Sequence, residues 1–313
     1  MQQANYSGIV KNLSDSEYHG LTGTYSSSQL KDIIKDPEIF FKKYISKEIE
    51  RKTMAAFDQG TYFHTALLEP ELLHEKCTVY DGAVRRGKAW DEFAELHKGK
   101  AILTKADLPQ VERIIDAVKD SPVAMKFLNS SESEVSAFCI VYVFNGEVYG
   151  ERGDSLFLLS VTKGWIEVEP EKHDAIKEFG SKLKLKVRAD AISYSMGVIS
   201  DLKSTTGNAK SDREMRNAVS TYEYDLSAAL YLDIFTLVTE QTFNIFCWIF
   251  AAKDTGTCRT FEMSPKYYMI GRAKWRKAAI LLAKYTEEEW QFKDELGCIT
   301  PPEWENDWLI GAN

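Results

Sequence analysis

Cysteine is scarce in this chain of 313 residues, and no two of the five stand in a CxxC pair. Cys77, Cys139, Cys247, Cys258 and Cys298 form an odd, scattered set. That argues against a disulfide framework and for a reducing compartment. It also gives no support to a thiol-built zinc or iron–sulfur site. Long apolar runs are missing too. The longest, FNIFCWIFAA over 243–252, is about half of the roughly 20 residues a membrane-spanning helix needs, and it reads as a buried strand. The opening MQQANYSGIVKN has no apolar stretch of the signal-peptide kind, so a cytoplasmic protein is expected. Positive charge is not in excess either, the formal net charge being -8. Bulk charge therefore does not announce a nucleic-acid binder, although local basic patches decide contact with phosphates. Internal repeats and low-complexity tracts are absent.

What is present is an ordinary globular balance, 44% hydrophobic and 27% charged, in a chain long enough for a substantial core in one elaborated domain or two small ones. Residues 1–24 are polar and read as a flexible lead-in. A serine-capped helix is expected from Tyr25-Ser26-Ser27-Ser28 to about Asp36, and Pro37 opens a second through PEIFFKKYISKEI. Further helices are expected over 53–69, 104–120 and from Pro122 to Phe127. The charged segment over 81–100 reads as a surface segment or mobile loop. Strand patterns occupy 134–143, 184–194 and 198–204, with turns at Asn145-Gly146 and Met196-Gly197. A long helix over about 213–239 precedes strands at 243–252 and at CRTFEM, and a last amphipathic helix spans about 265–293. The order predicts an α/β (α+β) fold with a helical N-terminal layer. One domain is expected over 25–295, with an extended hairpin region at about 145–187 and a tail over 296–313.

The most informative stretch is VRADAISYSMGVISDLKST. Asp201 and Lys203, two residues apart on one strand, project to the same side. Hairpin pairing brings Asp190 alongside Asp201. Two carboxylates so close repel each other unless a divalent cation lies between them, and oxygen donors of this kind suit magnesium or manganese. A DxK triplet alone is equally compatible with a solvated hairpin edge. Here, however, the charges interrupt the apolar positions Val187, Ala189, Ile192, Val198, Ile199 and Leu202, and a charge inside a core strand needs a partner.

Four ordered stretches resemble the PD-(D/E)XK nuclease superfamily. The similarity is to phage and prophage recombination exonucleases of the exodeoxyribonuclease VIII (RecE-like) type, and more distantly to the RecB-like nuclease domain. They are YSSSQLKDIIKDPEIFFKKY at 25–44, GTYFHTALLEP at 60–70, KVRADAI with ISDLKST at 186–205, and YEYDLSAALYLD at 222–233. The resemblance implies a restriction-endonuclease-like core with a central mixed β-sheet flanked by helices. It implies Asp190 and Asp201 as metal-ligand carboxylates, Lys203 as the residue that positions or activates the attacking water or stabilises the phosphate, and His64 as an auxiliary metal ligand or a phosphate-side group. Tyr231 would back the site, and Glu134 would be an extra acidic residue ranked below the others. The family's helix glutamine is Ser227 here, too short to make the same contacts.

Read without that resemblance, His64 is first a helix histidine satisfied by a core hydrogen bond, with Gly60 one turn before it leaving room for a backbone or the metal site to approach. Tyr231 taken alone is first a packed aromatic with its hydroxyl tied down. Arg85, Arg86 and Lys88, together with the alternating Lys182, Lys184, Lys186 and Arg188, are candidate DNA-backbone contacts or a solvated face. Lys210, Arg213 and Arg216 flank the long helix and could also grip DNA. His74, His97 and His173 are assigned no role. The implied activity is Mg2+-dependent (Mn2+ may substitute) 5′ to 3′ degradation of linear double-stranded DNA. It would leave 3′ single strands for an annealing protein in recombination, by a homo-oligomer of the ring type, in a bacterial or phage-infected cell. A nuclease of other polarity or endonucleolytic action, a silent DNA-binding subunit and an unrelated interaction module remain alternatives.

Overall fold

The computed structural model describes residues 6–49 and 55–292. The tail over 296–313, Cys298 and the expected ends of two helices, at 53–54 and 293, lie outside the described residues. The N-terminal part contains β1 (Gly8–Val10), α1 (Asp15–Gly20), α2 (Ser27–Lys35), α3 (Pro37–Phe40) and α4 (Ala55–Leu68). Next come α5 (Leu73–Lys76), β2 (Cys77–Tyr80), α6 (Lys88–Leu96), β3 (Ala101–Thr104), α7 (Leu108–Lys119) and α8 (Pro122–Asn129). The strands β4 (Glu132–Phe144), β5 (Glu147–Arg152), β6 (Ser155–Ser160) and β7 (Gly164–Glu167) lead to α9 (His173–Phe179). The chain then forms β8 (Ser181–Ser193), β9 (Val198–Thr205), α10 (Asp212–Thr221), α11 (Tyr224–Thr239), β10 (Ile245–Ala252), β11 (Thr257–Glu262) and α12 (Pro265–Glu287).

One mixed sheet runs β11-β10-β9-β8-β4-β5-β6-β7, with β1 also on β4 and a separate β2-β3 pair. The β9–β10 pairing is parallel and the other pairings of the large sheet are antiparallel. The central strands are buried on both faces, as β10 shows. Phe246, Trp248, Phe250 and Ala252 enter the core built with α2, α11 and α12, while Ile249 and Ala251 enter the one built with α4, α7 and α8. The protein is thus an α/β architecture, a mixed sheet flanked by helices. No described helix is long and apolar enough to cross a membrane.

Local chemistry accounts for most boundaries. Gln29 accepts from the Ser26 N–H at 2.9 Å in a capping box that starts α2, and Asp36 caps α3 behind Pro37. Asn145 and Gly146 both have positive φ, the requirement of a tight type I′ hairpin turn.

Five expectations change. The stretch read as a flexible lead-in supplies β1, paired with Ser136–Phe138, and a Ser14-capped α1. Over 81–100 the chain forms α6, whose Trp90 and Phe93 pack on Tyr80 at 5.3 and 5.1 Å. The helix opened by Pro37 is a single turn that passes into a π-helical turn over Phe41–Ile45. The helix expected over 213–239 is two, parted at Glu223, which has left-handed φ 49 and ψ 45. The region over 145–187 is a β5–β7 meander that continues the central sheet, with Ile176 of α9 packed on Tyr142 and Leu156.

Candidate metal centre

The site forms where the ladder between neighbouring strands lapses. β4 and β8 pair through Ser133↔Ala191 and Val135↔Ala189, which sets Glu134 opposite Asp190. β8 and β9 pair as far as Ala191↔Ser200, which sets Asp190 opposite Asp201 at the next step. Neither of these two steps is itself paired. Glu134 has φ 50, a conformation a side-chain-bearing residue adopts at a cost of about 1–2 kcal/mol. Asp190 accepts the Leu202 N–H on Oδ2 at 2.8 Å, so a carboxylate takes a donor that a strand would otherwise use. Three acidic residues therefore stand abreast on three adjacent strands.

α4 delivers His64 to this row. Phe63 beside it is fully buried, which fixes the helix against the sheet. The His64 ring lies with Nε2 3.1 Å from the Leu202 carbonyl and Nδ1 3.4 Å from Asp190 Oδ2. A carbonyl can only accept, so Nε2 carries the proton, and in the neutral ring the Nδ1 lone pair faces the carboxylate. A backbone carbonyl that orients an imidazole in this way is the usual support of a histidine ligand. One donor atom each from His64, Glu134 and Asp190 lie within 4.8 Å of one another. Burial first, then the charge of Asp190, push the Glu134 carboxyl up to about 8, with Arg188 opposing. The set of one nitrogen and two carboxylate oxygens, whose mutual repulsion Arg188 at 3.9 Å from Glu134 offsets only in part, fits a divalent cation.

Asp201 falls outside that three-donor cluster because Lys203 claims it, Nζ to Oδ2 being 2.5 Å. The expected same-side projection of Asp201 and Lys203 is therefore realised as an ion pair. Burial works against the Lys203 ammonium, yet Asp201 and Asp190 outweigh it and raise its pKa. Burial raises that of Asp201, which Lys203 opposes and Asp190 reinforces. Tyr231, partly buried against the core, lies within electrostatic reach of Asp201 and Asp190. Its hydroxyl is raised well above the ordinary range, chiefly by burial, then by Tyr18, Asp201 and Asp190. Ser227, one turn earlier on α11, is half-buried.

Gly60 leaves space, but not for another backbone. No atom comes within 4 Å of where its side chain would begin. It borders a cleft of about 690 Å³ also lined by His64, Glu134, Asp15, Glu69 and Lys76.

The basic stripe requires correction. Lys186 and Arg188 are only 4% and 8% exposed. Lys186 donates to the Tyr18 carbonyl at 2.7 Å. Arg188 donates to the Leu13 carbonyl at 2.8 Å and to Asp15 at 2.6 Å. They fasten the N-terminal segment to the sheet, and that segment covers the face read as open. Lys184 is half-buried beside Tyr25, whose N–H its carbonyl accepts at 2.9 Å. Arg85 is likewise committed, to Asp58 at 2.5 Å and to the Ile102 carbonyl at 2.6 Å. Arg86, Lys88, Lys182, Lys210, Arg213 and Arg216 are exposed. His97 and His173 face the carbonyls of Phe93 and Val168.

Sequence reasoning passed over Lys31 and Tyr224. The Tyr224 ring has Lys203 Nζ 5.3 Å and Lys31 Nζ 5.4 Å from its centroid. Burial, and then Lys203, lower the Lys31 ammonium to about 8. The available signals were the four-residue step from Ser27 to Lys31 and the seven-residue step from Tyr224 to Tyr231, each along one helix face.

No family profile matches the chain, and no curated protein matches it. Among solved structures, one of a Eubacterium rectale protein provisionally assigned as an exonuclease superposes with a TM-score of 0.56. The alignment covers 99% of each chain at 17% identity, which shows a shared fold over the whole length. A second, SSO0001, aligns over 81% of this chain and 94% of its own at 15% identity and a TM-score of 0.26, too low to bear on the fold.

Proposed function

We propose that this protein is a metal-dependent nuclease of the PD-(D/E)XK superfamily, acting as a recombination exonuclease of the RecE-like type. The observation that carries the reading is the acidic row Glu134, Asp190 and Asp201, flanked by His64 and by the ion-paired Lys203. The fold shared with the Eubacterium rectale protein supports it. His64, Glu134 and Asp190 would hold the cation, with Asp201 close by as a further carboxylate. A divalent ion there supplies polarisation of a phosphodiester and makes water more acidic. Lys203, kept charged by Asp201, offsets the negative charge that develops on the phosphorus-bound oxygens and helps orient the attacking water. Tyr231, close to Asp201 and Asp190, would back the site. The cation is Mg2+ or Mn2+, and the substrate is linear double-stranded DNA degraded 5′ to 3′. Arg86 and Lys88 remain exposed for backbone contact. An annealing protein and a ring-shaped homo-oligomer complete the proposal.

The test is digestion of a linear duplex labelled at one 5′ end and one 3′ end, with Mg2+, with EDTA, and with Lys203→Ala. The expected result is Mg2+-dependent loss from the 5′ end, abolished by EDTA and slowed roughly 10²–10³-fold by the substitution. Loss from the 3′ end or internal nicking would overturn the polarity and keep the nuclease. No cleavage by folded protein with Mg2+ or Mn2+ would overturn the catalytic assignment.

A further inference from the structure

Between α10 and α11 the backbone breaks at Glu223, whose largely buried side chain pairs with Lys35 at 3.5 Å. Glu223 takes left-handed φ 49 and ψ 45 with neither glycine nor asparagine to ease it, and parts the polar α10 from the apolar α11. Residues held in such conformations cluster where function over-determines the backbone. Here the break throws Tyr222 outward. Its side chain is 57% exposed, yet its ring is not loose: it stacks on Tyr224, with centroids 5.4 Å apart and planes 28° apart. Tyr224 in turn has the ammonium groups of Lys203 and Lys31 near its ring. A continuous column therefore runs from Lys203 through Tyr224 to an aromatic face turned to solvent. Adding the two spacings, 5.3 Å and 5.4 Å, puts the Tyr222 ring within about 11 Å of Lys203 Nζ. That is about three stacked-base steps at roughly 3.4 Å each.

Resting on the nuclease reading above, we infer that Tyr222 and Tyr224 are a stacking platform for an unpaired nucleobase within about three base steps of the scissile phosphate. Tyr222 presents its outer face, and Tyr224, pinned between ring and cation neighbours, stiffens it from behind. An aromatic face accepts any base, because every base has a π-face, so the platform selects unpaired ends without selecting sequence. A fully paired end keeps its bases stacked on each other and gains nothing from it.

The experiment is binding of a fluorescein-labelled duplex to the full chain, with Ca2+ in place of Mg2+. The duplex carries either a four-nucleotide single-stranded end, the same end with abasic sites, or a blunt end. Tyr222 is solvent-facing, so Tyr222→Ala is expected to melt like the wild type, and Tyr222→Trp keeps a stacking face. The expected result is that Tyr222→Ala weakens the overhang complex roughly tenfold and leaves the blunt complex unchanged, while Tyr222→Trp retains the wild-type affinity. Abasic ends should bring the wild type down to the alanine variant. Equal weakening of blunt and overhang complexes, or no weakening at all, overturns the platform while DNA binding stands. A folded wild type that binds none of the three duplexes overturns the nuclease reading and the platform with it.

Discussion

Glu134 combines two costs at one residue, a left-handed backbone and a carboxyl that burial and Asp190 push up to about 8. Removing its side chain should lift both. Glu134→Gly is therefore expected to raise or preserve the melting temperature in EDTA while weakening divalent-ion binding at least tenfold. A melt several degrees lower, or unchanged ion affinity, would contradict the assignment. At this scale the sequence was legible wherever strand period alone decided the outcome: Asp201 and Lys203 had to share a side, and they do. Glu134 was named only as a lesser acidic residue, and its backbone was not legible, because a positive φ in a glutamate leaves no mark in composition. Lys186 and Arg188 misled for a related reason. Alternation revealed their side of β8, but not that Leu13, Asp15 and Tyr18 would fold over it.

At the scale of elements, α11 is held against α12 by two ion pairs set among apolar contacts, Asp225 with Lys274 at 2.8 Å and the more deeply buried Asp233 with Arg272. Asp233 accepts from Arg272, from the Tyr268 hydroxyl at 2.9 Å and from the Trp275 indole at 2.8 Å. The helices approach so closely that a side chain on Gly271 would meet the Asp225 carbonyl. Arg272→Met leaves Asp233 charged, buried and short of its strongest partner. The expected loss is about 3–5 kcal/mol in urea unfolding, and a loss below about 1 kcal/mol would contradict a pair that carries this interface. Helix α11 itself could be read from its sequence, since it is apolar nearly all round and so had to be buried. Its break from α10 could not, because Tyr222 and Glu223 carry no glycine or proline signal. Nor could α6, whose charged residues hide the Trp90 and Phe93 face that packs on Tyr80.

At the scale of the whole molecule, the sheet brings together residues from distant parts of the chain, and this the sequence conveyed only through ordered resemblance. His64 arrives on α4, Glu134 on β4, Asp190 on β8, and Asp201 with Lys203 on β9. The meander over 145–187 widens the sheet away from that point, and β1 with α1 closes the side of β8 beside it. The account stands on these elements converging to hold one divalent cation. The direct measurement is calorimetric titration of the full chain with Mn2+, for the wild type and for Asp190→Asn. The asparagine oxygen can still accept the Leu202 N–H but carries no charge for the ion. The account predicts saturable binding to the wild type and affinity about 10–100-fold lower in the variant, with the fold intact by melting. Equal affinity in the two proteins, or no saturable binding to a folded wild type, would contradict it.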